Sequence, residues 1–472
     1  MKVKKNFLWV LVLTLLTACN ANSFKGTQKD DSSRYVIRTE VPERPAGQKD
    51  VLGLVTPALD TVRVGFIGLG MRGPGAVNRF TYIPGTRIVD LHPDRVEKAQ
   101  TILDKAGLPR AAEYSGSEDA WKELCQRDDI DLVYIATDWK HHAEMMIYAM
   151  EQGKHVACEV PSATTLEEIW AVVNTAEKTQ KHAMQLENCV YDFFELTTLN
   201  MAQQGVFGEV LHAEGAYIHN LKDYWESYEG DWRLQFNKEH RGDVYATHGM
   251  GPAAQIMDLH RGNKMNTLVS MDTKPVNIPE HLIEKRGMDR DSAYQFANGQ
   301  HTMTMIRTEN GKTIQIQHDV ASPRPYSRMY QVTGTKGFAN KYPEEGYALE
   351  AEMLDESVAP NHENLNAHSF VPEEVKNALM TKYKHRIHQE LEEKAKEVGG
   401  HGGMDFIMDY RLVYCLRNGL PLDMDVYDLA EWCSLAELSR ISIEHNSAAV
   451  EVPDFTRGGW NKIQGFRHAF VD

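Results

Sequence analysis

Val62-Arg-Val-Gly-Phe-Ile67 is a short apolar run that passes without interruption into Gly68-Leu-Gly70-Met-Arg-Gly73. Few local sequences restrict a fold so tightly. The run reads as a buried strand. A G-x-G-x-x-G segment directly after a strand makes a tight turn at Gly68, leaves bare backbone at Gly70 where a pyrophosphate can approach, and lets the next helix pack closely at Gly73. The first turn of that helix offers unpaired N–H groups to an anion. Asp90 stands about 20 residues further on, at the end of the next strand, where a carboxylate accepts both ribose hydroxyls and repels a 2′-phosphate. The spacing therefore predicts NAD rather than NADP.

The chain around this turn alternates between strand and helix. Strands are expected over Arg63–Ile67, Ile88–Asp90, Asp131–Thr137 and His155–Val160, with helices near Val96–Ala106, His142–Gln152 and Leu166–Lys178. Such alternation implies right-handed βαβ units and a doubly wound parallel sheet. After about Asn188 the texture changes. Lys312–Val320 places Ile314, Ile316, His318 and Val320 on one face, and Arg328–Thr333 reads as its partner strand, so this half is expected to be α+β with a mostly antiparallel open sheet. Helices over Glu373–Glu397, Asp405–Leu416 and Val426–Glu444 close the chain. The expected division is a lipoprotein signal over 1–18, a polar tether over 19–58, an NAD-binding Rossmann domain over 59–187, and a substrate-binding domain over 188–472.

The signal rests on Lys2, Lys4 and Lys5 ahead of the apolar run Phe7–Leu16, which is short for a permanent span. It ends in Leu16-Thr-Ala-Cys19, which resembles the lipobox of bacterial lipoproteins, with Cys19 as the lipidated residue. The expectation is a protein of the bacterial cell envelope, held by acyl chains and facing outside the cytoplasm. Setting Cys19 aside leaves an odd number of the 6 cysteines and no CxxC spacing, so neither a disulfide framework nor a zinc module is expected. His240, His260, His318 and His445 make no HxxxH spacing, and no metal is assigned. A net charge of −16 leaves no basic stripe for nucleic acid. A dinucleotide site on an exported chain, away from the enzymes that recycle nicotinamide, needs an explanation.

Two further segments at strand ends, Ala136-Thr-Asp-Trp-Lys-His-His142 and His155-Val-Ala-Cys-Glu-Val-Pro161, together with the glycine turn, resemble the glucose-fructose oxidoreductase/inositol dehydrogenase superfamily. That superfamily normally reads Glu-Lys-Pro in the second segment, and its lysine carries the proton in sugar dehydrogenases; here Val160 stands in its place. Longer motifs, among them Glu214–Leu221, Trp232–Leu234, Tyr245–Pro252, Gln317–Arg328, Gly399–Phe406 and Pro453–Trp460, resemble the NAD-dependent α-N-acetylgalactosaminidases of glycoside hydrolase family 109.

The resemblance implies NAD contacts at Met71, Arg72, Asp90, Trp139, His142, Glu159, Val160 and Asn188. It implies sugar contacts at Tyr217, Arg233, Tyr245, His248 and Tyr326, with His248, Tyr326 and Tyr217 as catalytic candidates and His401 as a weaker one. His248 reads as part of a glycine-bounded loop ahead of a helix beginning at Pro252. The implied reaction removes hydride from the sugar 3-OH, eliminates across C2 and C1, adds water and returns the hydride, with net retention. The cofactor ends as it began, so a chain that keeps its NAD can work after export. The partners implied are glycans ending in α-linked N-acetylgalactosamine, and a homo-oligomer is left open. Two other functions share these features: an exported sugar oxidoreductase with tightly bound NAD(P), and a non-catalytic sugar-binding lipoprotein.

With the signal intact, Cys19→Ala should move the protein from the membrane fraction to the soluble one, because the acyl anchor is lost. Membrane association that still needs detergent for release would defeat the lipoprotein assignment.

Overall fold

A computed structural model of the chain describes residues 36–92, 95–227 and 229–471. Cys19 and the side chain of Asp90 lie outside what is described. Arg38–Asp472 forms one unit, apart from Met1–Ile37, and carries two sheets.

The first sheet is built from β1 (Val62–Ile67), β2 (Thr86–His92), β3 (Ala112–Glu113), β4 (Leu132–Ile135), β5 (His155–Cys158) and β6 (Ala183–Gln185), in the order β3-β2-β1-β4-β5-β6, all parallel. It is the doubly wound sheet expected, and the order reverses between β1 and β4, where such sheets bind ligands beyond their carboxyl ends. Helices α1 (Gly73–Phe80), α2 (Val96–Lys105), α3 (Ala120–Cys125), α4 (Trp139–Glu151) and α5 (Leu166–Thr179) connect the strands. α4 starts three residues before the expected His142 because the Asp138 side chain accepts from the Lys140 N–H and caps it. Trp139 and His142 therefore sit in its first turn. α5 starts at a capping box made by Thr165 and Glu168.

After α6 (Phe193–Gln203) comes the second sheet, with strands β7 (Val210–Ile218), β8 (Met265–Asp272), β9 (Thr302–Thr308), β10 (Thr313–Asp319), β11 (Tyr330–Gly334), β12 (Gly337–Asn340), β13 (Gly346–Leu349) and β14 (Ala449–Glu451). Their order is β14-β8-β9-β10-β7-β11-β12-β13, and every neighbouring pair is antiparallel except β10 with β7. In β10, Ile314, Ile316 and His318 are buried together as their alternation predicts. Its expected partner was wrong: β11 pairs with β7 and β12, while β10 pairs with β9 and β7. Alternation fixes which face a strand buries and says nothing of which strand lies beside it.

The remaining helices are α7 (Trp232–Glu239), α8 (Thr247–Ile256), α9 (Asn277–Arg286), α10 (Arg290–Ala293), α11 (Glu373–Lys382), α12 (Arg386–Val398), α13 (Met404–Asn418) and α14 (Val426–Glu444). The single helix expected over Glu373–Glu397 is two. The His385 side chain accepts from the Ile387 N–H and starts α12 afresh. α14 joins the sheets, packing on β8 of the second sheet and α5 of the first, with Leu429, Ala430 and Cys433 in one core with Val173 and Met146. Among the described residues no helix is long and apolar enough to cross a membrane.

α8 corrects a second expectation. It begins at Thr247 and contains Pro252, so His248 lies in its first turn and not in a preceding loop. The early start is set by contact with β7. A Cβ on Gly215 would come 2.3 Å from the Gly249 carbonyl oxygen, and one on Gly249 would come 2.7 Å from the Ala216 nitrogen. Backbone lies on backbone here, which brings His248 beside the end of β7. Gly215→Val should therefore cost about 3 kcal/mol, the upper range for forcing volume into a packed core, read as a lower denaturant midpoint. A wild-type midpoint would show that α8 can leave β7 without penalty.

Candidate active site

Beyond the carboxyl ends of β1, β4 and β5, facing the second sheet, lies a cavity of about 490 Å³. Its wall contains Met71, Arg72, Trp139, His142, Glu159, Val160 and Asn188 from the expected cofactor set, and Tyr217, Arg233, Tyr245, His248 and Tyr326 from the expected sugar set. Segments more than 250 residues apart in sequence, from Met71 to Tyr326, thus meet around one space.

At the cofactor end the glycine turn has the shape a dinucleotide requires. Gly68 has φ +90°, and a Cβ there would come 2.5 Å from the Ala136 backbone; one on Gly73 would come 2.1 Å from the Gly68 oxygen. At Gly70 a Cβ would meet nothing within 4 Å. The first and third glycines are thus filled against protein, and the second faces open space that a pyrophosphate can take. NAD fits the residues present.

Arg72 leaves this turn to bond Glu159 at 3.2 Å and Asp405, at the start of α13, at 3.1 Å. The Glu159 charge is the largest influence on Arg72 and, with Asp405, holds the guanidinium far above its ordinary range against burial. Burial pushes Asp405 up, but the His401 hydrogen bond and the charges of Arg72 and Arg79 pull it well below the carboxylate range. Asn188 donates to the same carboxylate at 2.5 Å. His401, flanked by glycines, is bonded 3.0 Å from Asp405 and lines the cavity. His142 is committed to backbone: Nδ1 is 2.8 Å from the Pro161 oxygen and Nε2 3.1 Å from the Thr137 oxygen. It ties the ends of β4 and β5 together, and burial lowers its pKa.

Val160, in the position of the dehydrogenase lysine, is buried in an apolar cluster with Trp139, Tyr217 and Tyr245. Tyr245 stacks on Trp139 at 5.4 Å, and the Arg233 guanidinium lies 4.6 Å from the Tyr245 ring centre and 5.0 Å from that of Trp139. Arg233 is therefore buried within this aromatic wall. Tyr326 lines the cavity and is 41% exposed, at its solvent side.

The Tyr217 hydroxyl lies 2.9 Å from His219 Nδ1, and the His219 ring meets Tyr326 edge-on at 4.8 Å. His248 Nδ1 lies 2.6 Å from Glu187 Oε1, and its Nε2 lies 3.3 Å from the Tyr245 hydroxyl. Burial pushes Glu187 up, but His248, the Cys189 N–H and Thr247 hold it below the usual carboxylate range. Burial lowers His248 to about 4, with Glu187 opposing and Arg328 assisting. The pair is thus a carboxylate and a neutral imidazole. An ionised carboxylate only accepts, so the His248 proton is on Nδ1 and Nε2 carries the lone pair, 3.3 Å from the Tyr245 hydroxyl.

Glu187, His219 and Arg328 were absent from the sequence reading. A signal existed for two of them. His219 follows Tyr217, and Arg328 follows Tyr326, by two residues in extended chain, which puts each on its neighbour's face. Glu187 had only its place beside Asn188. Two clusters also carry the donors of a metal site, Glu187–Cys189–His248 and His260–Asp428–Glu431. Cations of the protein already engage both. Arg328 donates to Cys189 Sγ at 3.3 Å, while Arg261 forks onto Asp428 and His260, raised to about 10, bonds Glu431 at 2.8 Å. Sequence spacing could not expose these groups, because His260 and α14 lie far apart in the chain.

Residues 191–462 match the family model described as glycosyl hydrolase 109, C-terminal domain. The chain belongs to glycosyl hydrolase family 109. Residues 62–186 match the oxidoreductase family, NAD-binding Rossmann fold. A family 109 protein of Bacteroides thetaiotaomicron is 66% identical over 473 residues, covering 100% of both chains, and one of Porphyromonas gingivalis is 65% identical over 465 residues, covering 98% of this chain and 99% of its own. Among solved structures, levoglucosan dehydrogenase in complex with NADH and levoglucosan aligns with TM-score 0.61 at 19% identity, over 84% of this chain and 100% of that one. The apo scyllo-inositol dehydrogenase of Lactobacillus casei aligns with TM-score 0.55 at 14% identity, over 84% of this chain and 99% of its own. These likenesses bear on the fold. The family 109 chain is a glycoside hydrolase type with an NAD-binding domain, and NAD is its cofactor.

Gly70→Val would fill the open space above the turn. The variant should purify with little NAD, measured from the cofactor released on denaturation, and unfold at the wild-type midpoint when both are NAD-free. Wild-type occupancy would place the pyrophosphate elsewhere.

Proposed function

We propose that the protein removes terminal α-linked N-acetylgalactosamine from glycans by oxidation, elimination, addition and reduction, with net retention, while lipid-anchored outside the cytoplasm. One observation carries the reading. Beside the NAD turn stands a neutral histidine oriented by a buried carboxylate, and the single carboxylate in the cavity wall, Glu159, is paired with Arg72. Hydrolysis through an oxocarbenium-like transition state uses two carboxyl groups flanking the scissile bond. This wall offers no such pair among the described residues, and a route through a ketone needs none.

The glycine turn with Arg72, Trp139 and Glu159 would hold NAD, which would supply an acceptor for the hydride on C3 and return it at the end of the cycle, so no external nicotinamide pool would be drawn upon. The protein's own groups do the rest. His248 Nε2 takes the C2 proton, made acidic by the neighbouring carbonyl, while Glu187 fixes the tautomer and steadies the imidazolium that forms. Tyr326, at the rim where the aglycone departs, supplies a proton to the leaving oxygen and positions the water that replaces it. Tyr217, hydrogen-bonded to His219, holds a sugar hydroxyl against β7, and Arg233 with Trp139 and Tyr245 forms the floor on which the ring is oriented. Val160 argues against a simple oxidoreductase, since the proton carrier of that chemistry has no counterpart at the end of β5.

N-acetylgalactosamine released in deuterated water should carry deuterium at C2 and appear first in the α configuration, both followed by proton NMR. His248→Ala should lower turnover by roughly a hundredfold or more while NAD content stays at the wild-type level. Product formed from unlabelled substrate in deuterated water without deuterium at C2, together with no isotope effect and no loss of label from a C2-deuterated substrate, would rule out the elimination route.

A further inference from the structure

Removal of the C2 proton leaves a charge that none of the residues above holds. As the C2–H electron pair forms C2=C3, the carbonyl pair passes to the C3 oxygen, which becomes an enolate. That oxygen's pair then rebuilds the carbonyl, the C2=C3 pair becomes C1=C2, and the C1–O bond leaves with its electrons on the aglycone, which takes a proton. Enolates of this kind need a fixed donor aimed at the oxygen where charge develops.

Arg328 has the placement and the unspent charge. It lines the cavity and is buried. The comparably buried Arg79, Arg261 and Arg411 each lie 2.7 Å from a carboxylate, of Asp409, Asp428 and Asp423 respectively. Arg328 makes no ion pair among the described residues. Its Nη1 donates to Asn188 Oδ1 and Cys189 Sγ, both at 3.3 Å, and its Nε is buried with no acceptor. Burial keeps Cys189 a thiol, so the sulfur brings no negative charge. Glu187, whose charge also acts on Arg328, is already spent on His248. A buried guanidinium without a carboxylate is costly in a folded protein and is compensated when an anion arrives.

Its position identifies which anion. The carbon that loses hydride has to lie where cofactor and sugar meet. Arg328 bridges that boundary, bonded to Asn188 on the cofactor side and 5.8 Å from the centre of the Tyr326 ring on the sugar side. We propose that Arg328 is the charged donor that holds the enolate oxygen at C3 while His248 removes the C2 proton. The assignment rests on the elimination reading of the site. It also gives the cation a second effect: its charge disfavours protonation of His248, keeping the base free.

The test compares wild type with Arg328→Gln and Arg328→Lys, each purified with its NAD, on an α-N-acetylgalactosaminide deuterated at C2. Deuterium lost from C2, or a primary isotope effect at C2, in the wild type establishes the elimination route; neither in the wild type would sink that reading itself. Given the route, Arg328→Gln should lower kcat by about 10²–10³-fold, as expected for removing one oxyanion donor, with NAD content unchanged. The C2 isotope effect on kcat should rise, because proton removal becomes slower than hydride transfer. The acid limb of kcat/KM should move to higher pH as His248 loses the repulsion. Added guanidinium should restore part of the rate. Arg328→Lys keeps the charge and loses the fork, and should fall at least about tenfold below wild type. A wild-type kcat in either variant, or a loss confined to KM with the isotope effect and acid limb unchanged, would overturn the proposal. Should Arg328→Gln fail to fold, Arg328→Lys alone decides it by kcat and the C2 isotope effect, with the acid limb expected to stay in place because the charge is kept.

Discussion

The site depends on one buried carboxylate. Asp405 receives the Arg72 guanidinium from the glycine turn, lies 3.6 Å from Arg79 of α1, and accepts from Asn188 and His401. The glycine turn with its helix, Asn188, and the chain just ahead of α13 converge on a group that is 1% exposed. Burying it alone would be prohibitive. Surrounded by two guanidiniums and the Asn188 and His401 donors, it is held ionised and becomes the joint between the cofactor turn and the second half of the molecule. Arg79 extends the joint to Asp409 at 2.7 Å, so α13 is fastened to the first layer at two successive turns. Removing Asp405 would leave Arg72, which lies between the dinucleotide turn and the rest of the cavity, held by Glu159 without its bond to α13.

On that frame the two ends of the cavity are electrically different. At the cofactor end the charges are paired, Arg72 with Glu159 and Asp405. At the sugar end stand neutral histidines, phenols and two guanidiniums. His248 and His219 are both lowered to about 4 by burial, which is the state a proton acceptor needs at neutral pH. A chemistry in which a neutral base withdraws a proton and negative charge gathers on a sugar oxygen suits these surroundings. A chemistry in which two carboxylates stabilise a developing cation does not. Under the proposed reaction the same contrast would account for a dinucleotide site on a chain expected to be exported, since a cofactor regenerated within each cycle would be a fixture of the site, not a soluble reagent.

Part of this was legible in the residues. The strand, glycine turn and helix are local, because φ at Gly68 and the clearances at Gly70 and Gly73 follow from a few adjacent residues and the strand beside them. The buried face of β10 follows from its alternation, and α14 was readable to the residue because Asp425 and Asp428 make a capping box at its start. Long motifs carried the expected site residues, and the cavity gathers all of them except Asp90, whose side chain lies outside the described residues, and the turn glycines.

Tertiary structure decided the rest, for one physical reason: periodicity and capping specify what a segment does by itself, whereas partners across the chain are chosen by packing. β11 went to β7 and not to β10. α8 began at Thr247 because Gly249 could lie against Gly215, and only that contact carries His248 to Glu187. Likewise nothing local marks Arg328 as a buried cation without a carboxylate partner among the described residues. The sequence by itself determined that this chain holds a dinucleotide at the head of a parallel sheet. Which base faces the sugar, in which tautomer, and which charge is left for a ligand depended on burial and distance between residues that meet only in the folded chain.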